Sequence, residues 1–108
     1  MSGALVSATA DGGHVHLALG GEVDLANARD VEAQLLDAIS NQADRVSLDL
    51  TDVSYLDSAG IRILFQLVDR LRTLQIEALL IAPPRSPARR VIELSGLSTL
   101  VPLDPPLD

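Results

Sequence analysis

The apolar and polar positions fall into short blocks whose period changes along the chain. Leu5-Val6-Ser7-Ala8-Thr9-Ala10 reads as a short strand, and Asp11-Gly12-Gly13 after it is a turn signal with glycine available for positive φ. His14-Val15-His16-Leu17-Ala18-Leu19 alternates with period two, so Val15, Leu17 and Leu19 share one face. The two blocks predict a hairpin, which Gly20-Gly21 is expected to break. From Asn27 the period becomes helical: Val31, Leu35, Ala38 and Ile39 fall on one face, with Asp30, Glu32 and Asp37 elsewhere. Asp24 or Asn27 is the expected N-cap, where negative charge suits the helix dipole, and Asn41-Gln42-Ala43-Asp44 is the expected end. Val46-Ser47-Leu48-Asp49-Leu50 predicts a strand, followed by a loop from Thr51 to Asp57.

The strongest helical pattern begins near Ser58. Ile61, Leu64, Phe65, Val68 and Leu71 form its apolar stripe, and Arg62, Gln66, Asp69 and Arg70 take the other side. Ile76 to Ile81 reads as a buried strand ended by Pro83-Pro84. Ser86-Pro87 is a helix start, with serine as cap and proline pre-organised at the first helical position. That helix carries Ala88, Val91, Ile92 and Leu94 and stops near Gly96. Leu100-Val101-Pro102-Leu103 is expected as a short final strand, with Asp104 to Asp108 a loose tail. The order β-β-α-β-α-β-α, closed by a short strand, implies an α/β fold: a mixed, mostly parallel sheet with helices packed against it. No repeat, linker or internal boundary interrupts residues 1–108, so one domain is expected, with its core at about residues 4–103.

Composition narrows the function. Apolar residues make up 47% of the chain, enough to build a core at this length. Tyr55 and Phe65 are the sole aromatics, so Leu, Ile, Val and Ala must supply that core. With a formal charge of −7 and almost no aromatic residues, the chain lacks the basic grooves and stacking platforms of nucleic-acid binders and is expected to avoid anionic membranes. A protein partner with a basic surface fits better. All the basic residues are arginine, which removes catalytic designs that need lysine. The absence of cysteine removes disulfides and thiol chemistry. There is no apolar stretch of about 18 residues for a membrane helix. No basic residue precedes Arg29, so no signal peptide is predicted and a soluble cytoplasmic protein is the expectation.

The informative stretch is Leu48-Asp49-Leu50-Thr51-Asp52-Val53-Ser54-Tyr55-Leu56-Asp57-Ser58-Ala59-Gly60-Ile61. A strand leads into a loop, and the loop ends where Asp57-Ser58 meets a helix N-terminus. A serine hydroxyl there lies near backbone N–H groups without helical partners, and the same groups with the helix dipole suit a phosphate. Ala59 and Gly60 are small and leave the hydroxyl open. A phosphate would add roughly −1.5 to −2 charge beside Asp57 without stressing the core. Taken alone, a Ser or Asp before a helix is most often only a cap worth about 1 kcal/mol.

Three segments change that balance. Leu19-Gly20-Gly21-Glu22-Val23-Asp24-Leu25-Ala26 looks like the Gly-Glu-(Leu/Val)-Asp element of the STAS family. Asp49-Leu50 through Val53, then Leu56-Asp57-Ser58-Ala59-Gly60-Ile61, looks like its phosphorylation motif. Leu94-Ser95-Gly96-Leu97 is similar to the end of its last long helix. In order and spacing, nearly the whole chain resembles that family, and within it the small bacterial anti-sigma factor antagonists. The resemblance implies a single STAS-type domain, no enzymatic activity and no cofactor. It makes Ser58 the serine phosphorylated by an anti-sigma factor that is also an ATP-dependent serine kinase, and Asp24 and Asp57 the acidic residues flanking it. Glu22, Ala59, Gly60 and Ile61 complete the partner-binding surroundings. The segment from Gly20 to Ala26 is expected beside the start of the Ser58 helix, and the helices starting near Ser58 and Asn27 as the docking face. The unphosphorylated protein would bind the anti-sigma factor and free a sigma factor. Phosphorylation would release it, and a serine phosphatase would restore it. A monomer or weak dimer is expected. Ala59 departs from the family, many of whose members have a second hydroxyl residue there.

Other features have simpler readings. His14 and His16 share a strand face with metal-binding spacing but no evident third ligand, which favours a solvated face. Asp49 and Asp52 fit solvent exposure or a turn better than an acidic metal pocket. Arg85, Arg89 and Arg90 read as a solvated basic patch. Gly12-Gly13 and Gly20-Gly21 match no phosphate loop. A two-component receiver domain is disfavoured by the missing lysine. An enzyme such as a nucleotide hydrolase with Ser58 as nucleophile is disfavoured because the only histidines lie in the early hairpin and no Gly-x-Ser-x-Gly elbow exists. A constitutive STAS scaffold in a larger assembly is the remaining alternative.

Overall fold

The computed structural model describes residues 3–106. Strands β1 (Ala4–Asp11) and β2 (His14–Val23) form the expected antiparallel hairpin, turning at Gly12 with φ of 62°. Helix α1 (Ala28–Asp37) follows, then β3 (Arg45–Asp49), β4 (Val53–Leu56), α2 (Ser58–Thr73), β5 (Glu77–Ile81), α3 (Pro87–Ser95), a 3₁₀ turn at Leu97–Thr99 and β6 (Leu103–Asp104). The sheet runs β1-β2-β3-β5-β6, with every pair after the hairpin parallel. The mixed, mostly parallel α/β order is therefore as the sequence implies.

Two departures from the sequence expectation concern β2. The Gly20-Gly21 pair bends this strand without ending it. Gly21 adopts φ of 87°, and the β2–β4 register shifts between Gly21 and Glu22. A bulge of this kind inserts extra twist, which glycine supplies at no steric cost. A Cβ on Gly21 would stand 2.0 Å from the Gly3 carbonyl oxygen, so no other residue fits. Beyond the bulge β2 changes neighbour: its first half pairs with β3, from His14 to Ala18, and its end pairs with β4, from Gly21 to Val23. Strand β4 itself lies in the segment read as a loop; four residues are too few to show a period.

The core lies between one sheet face and the helices. Val15, Leu17 and Leu19 of β2 and Val46 and Leu48 of β3 are buried there against Val31 and Leu35 of α1, Leu64, Leu67, Val68 and Leu71 of α2, and Ala88 and Ile92 of α3. On α2 the buried stripe runs through Gly60, Ile63, Leu64, Leu67, Val68 and Leu71, while Ile61 and Phe65 are only half-buried. Leu94, expected on the apolar face of α3, is 80% exposed. Helix α1 ends at Asp37, ahead of the expected stop, and Ile39 still packs on the core from the turn beyond. Ser86 caps α3 by accepting from the Arg89 N–H, and Gly96 ends it in the left-handed conformation, both as expected. The closing strand is shifted to Leu103–Asp104.

Arg89 departs most from expectation. Expected in a solvated basic patch, it is 5% exposed, and its Nη1 donates to the Ala82 carbonyl at 3.0 Å and the Pro105 carbonyl at 2.6 Å. Glu93 lies 3.7 Å from its Nε. Arg89 thereby ties residues just after β6 to the end of β5, so the C-terminal segment is held through Pro105; residues 107–108 lie outside the described range. No helix among the described residues is long and apolar enough to cross a membrane.

Candidate functional site

The site is assembled where the end of β2 meets the start of α2. Parallel pairing of Val23 with Leu56 brings the segment after each strand to the same edge. Asp57 then joins the two. Its Oδ1 accepts the N–H groups of Ala59 at 2.9 Å and Gly60 at 3.0 Å, and its Oδ2 accepts the Leu25 N–H at 3.2 Å. Its own N–H donates to the Val23 carbonyl at 3.2 Å. One carboxylate thus caps α2 and fastens the Asp24–Asn27 turn against it. A capping carboxylate is well placed electrostatically, because it meets the positive end of the helix dipole.

The turn is ordered from within. Asp24 Oδ1 accepts the Ala26 N–H at 2.9 Å, and the Asp24 carbonyl accepts the Ala28 N–H at 2.9 Å. Asn27 uses both ends of its amide: Oδ1 accepts the Asp24 N–H at 3.0 Å, and Nδ2 donates to the Glu22 carbonyl at 2.8 Å. Neither Asp24 nor Asn27 makes a side-chain cap on α1, contrary to the sequence reading. Both instead brace the turn against β2. Glu22 is half-buried and takes part through its backbone, in register with Tyr55 of β4.

Gly60 sets how closely α2 approaches this edge. It is buried, and a Cβ there would lie 2.7 Å from Leu56 Cδ1 and 3.1 Å from the Val23 carbonyl oxygen. Ser58, the first helical residue, is exposed, while Ala59 and Ile61 are half-buried. The segment from Gly20 to Ala26 lies beside the start of α2 as expected, joined to it by the Val23 carbonyl and the Leu25 N–H through Asp57. The Ala59 and Gly60 amides, foreseen as part of a phosphate cradle, are instead bound by Asp57.

The sequence reading passed over two side chains at this site. Leu25 is 83% exposed although its N–H is fixed, and Tyr55 is 51% exposed on the strand leading to Ser58. The signal was an apolar residue between Asp24 and Ala26, in a turn with no core to serve. An exposed apolar side chain on a backbone fixed to the start of α2 suits a protein partner.

The histidines lie elsewhere. Their rings stack at 3.7 Å and share the buried Ser47 hydroxyl, at 3.0 Å from His14 Nε2 and 3.2 Å from His16 Nδ1. No set of three metal-ligating side chains is found among the described residues. Asp49 accepts from the Thr51 N–H and hydroxyl, the turn role expected of it, and Asp52 is exposed. Seven residue steps along β2 lead from His16 to Val23, about 23 Å, so neither imidazole reaches Ser58.

A mixed sheet with this parallel register, and a capped serine at the head of its longest helix, defines a STAS-type domain. The STAS domain family matches residues 6–108, and the chain belongs to that family. BtrV of Bordetella bronchiseptica, by name a candidate anti-sigma factor antagonist, is 35% identical over 85 residues, covering 79% of this chain and 72% of that protein. An anti-sigma factor antagonist from Mycobacterium paratuberculosis superposes with a TM-score of 0.84 at 25% identity, over 98% of this chain and 89% of that one. The unphosphorylated form of the anti-sigma factor antagonist SpoIIAA shares the fold at a TM-score of 0.72 and 20% identity, over 92% of this chain and 87% of that one. The Bacillus SpoIIAA in its phosphorylated form gives 0.68 at 20% identity, over 92% and 90%.

Proposed function

We propose that this chain is an anti-sigma factor antagonist. Unphosphorylated, it binds an anti-sigma factor with serine-kinase activity, so that a sigma factor is released; a phosphate on Ser58 ends the binding. The observation that carries this reading is the exposed Ser58 hydroxyl at the head of α2, beside the exposed Leu25, on a frame pinned by Asp57. The names borne by the similar proteins support it.

The chain is a binding partner and not an enzyme in this scheme. In the modifying step Ser58 Oγ bonds to the γ-phosphorus of ATP, the bond to the β–γ bridging oxygen breaks, ADP leaves, and the hydroxyl proton passes to a base of the kinase. A serine phosphatase hydrolyses the ester and restores the hydroxyl. The added negative charge meets a partner surface shaped for a neutral hydroxyl and an apolar side chain, and the desolvation of that charge opposes docking. The setting is the cytoplasm, with no nucleic-acid contact by this chain.

The test is incubation with ATP and candidate anti-sigma kinases, followed by mass spectrometry and titration calorimetry. Phosphate is expected on Ser58 and lost in Ser58→Ala, which stays folded and binds without release. Ser58→Asp is expected to bind at least tenfold more weakly, which is about 1.4 kcal/mol. Equal affinity of the two variants for every kinase that binds would refute the switch and leave a constitutive binding module.

A further inference from the structure

Arg62 stands one helical turn after Ser58, and both are exposed. Side chains on an α-helix lean toward its N-terminus, so the Arg62 side chain extends back over the turn that Ser58 begins. Residues four apart on a helix have Cβ atoms about 5–6 Å apart, within reach of a phosphate oxygen and a guanidinium. Among the described residues Arg62 makes no ion pair or side-chain hydrogen bond, and its helical neighbours Ala59, Phe65 and Gln66 carry no acid to engage it.

Four backbone amides around this helix start are committed. The Ala59 and Gly60 N–H groups bind Asp57 Oδ1, and the Leu25 N–H binds Oδ2. Asp24 Oδ1 binds the Ala26 N–H. A phosphate on Ser58 would therefore face two carboxylates already held by amides and one cation with no present partner. An anionic group placed before a basic one at this spacing is the favourable order on a helix, and a phosphate–arginine pair is charge-assisted on both sides.

We propose that phosphorylated Ser58 closes onto the Arg62 guanidinium within its own helix, so that modification changes two side chains of the docking surface: it adds an anion and withdraws a cation. This rests on the reading of Ser58 as the phosphoacceptor. It makes Arg62 a positioning residue for the phosphate, holding it along the helix and away from Asp57.

The experiment installs phosphoserine at position 58 during protein synthesis, with no kinase involved, and follows the phosphorus NMR shift against pH. Pairing favours the dianion, so the second phosphate pKa is expected to be lower in the wild-type background than in Arg62→Gln by about 0.3 unit. Arg62→Lys is expected to fall between them, because a single ammonium lacks the planar fork. The difference should vanish near 1 M salt, as an exposed pair requires. The same phosphate pKa in wild type and Arg62→Gln overturns the proposal, as does a difference that persists at high salt. Unphosphorylated Arg62→Gln is expected to keep the wild-type melting temperature, which separates pairing from folding. Failure of every kinase to modify Ser58 would sink the switch while leaving this pair measurable, so the two readings fail separately.

Discussion

Asp57 performs two tasks with two oxygens, and a pair of substitutions separates them. Asn caps helices as well as Asp does, because its amide oxygen accepts the same N–H groups. In Asp57→Asn the oxygen can stay on the Ala59 and Gly60 N–H groups, but the NH₂ then meets the Leu25 N–H, donor against donor. The helix cap survives and the tether to Leu25 is lost. Asp57→Ala removes both. The cap is worth about 1 kcal/mol. The tether is one hydrogen bond of 3.2 Å to a carboxylate at an exposed position, so about 0.5 kcal/mol is a fair allowance. Asp57→Asn is thus expected to lose about 0.5 kcal/mol and Asp57→Ala about 1.5 kcal/mol in urea unfolding, or about 2 °C and 6 °C in melting temperature for a domain of this size. Binding should rank differently from stability. Both variants free the Leu25 turn, so both should weaken docking to the anti-sigma factor, by a similar factor. Calorimetric titration alongside the unfolding curves reads the two effects separately. If Asp57→Asn binds as wild type while Asp57→Ala does not, the tether has no part in presenting Leu25, and the reasoning fails.

Two further outcomes follow from close packing and burial. Gly60→Ala should cost about 1–2 kcal/mol in spite of alanine's better helix propensity, since its Cβ would press on Leu56 and the Val23 carbonyl; an unchanged or raised melting temperature would show that α2 can move away freely. Arg89→Met should cost about 2–3 kcal/mol by leaving the Ala82 and Pro105 carbonyls without their donor, and should loosen the residues after β6; hydrogen exchange at the amides paired there would be unaltered if Arg89 were merely packed.

The elements most legible in the sequence were those with a full period and a local signal for each end. The β1–β2 turn at Gly12, the Ser86-Pro87 start of α3 and its Gly96 stop are written in a few adjacent residues. Strand β4 was not, because Val53-Ser54-Tyr55-Leu56 earns its strand geometry from pairing with β2, some thirty residues away. The glycines at 20 and 21 gave the same local signal that a strand end would. Only the neighbour exchange from β3 to β4 shows why a bend is needed there. Arg89 was misplaced because its Arg85 and Arg90 companions face solvent; its carbonyl partners come from β5 and the C-terminal segment, which no helical period can reveal. At the candidate site, Ser58, Asp57 and Asp24 were legible through the family resemblance. The division of labour within Asp57, and the bracing by Asn27, required the backbone.

The exchange of neighbours along β2 also has a kinetic consequence. Asp57 and the Leu25 turn are 32 residues apart, and their contact depends on β4 finding the end of β2 past a bulge. Such a closure is long-range in sequence, and its loop-closure entropy must be met before the contact can form. A chain still on the ribosome, or one partly unfolded, carries Ser58 and Leu25 but not their arrangement. A partner that docks on both would therefore engage folded copies and pass over immature ones.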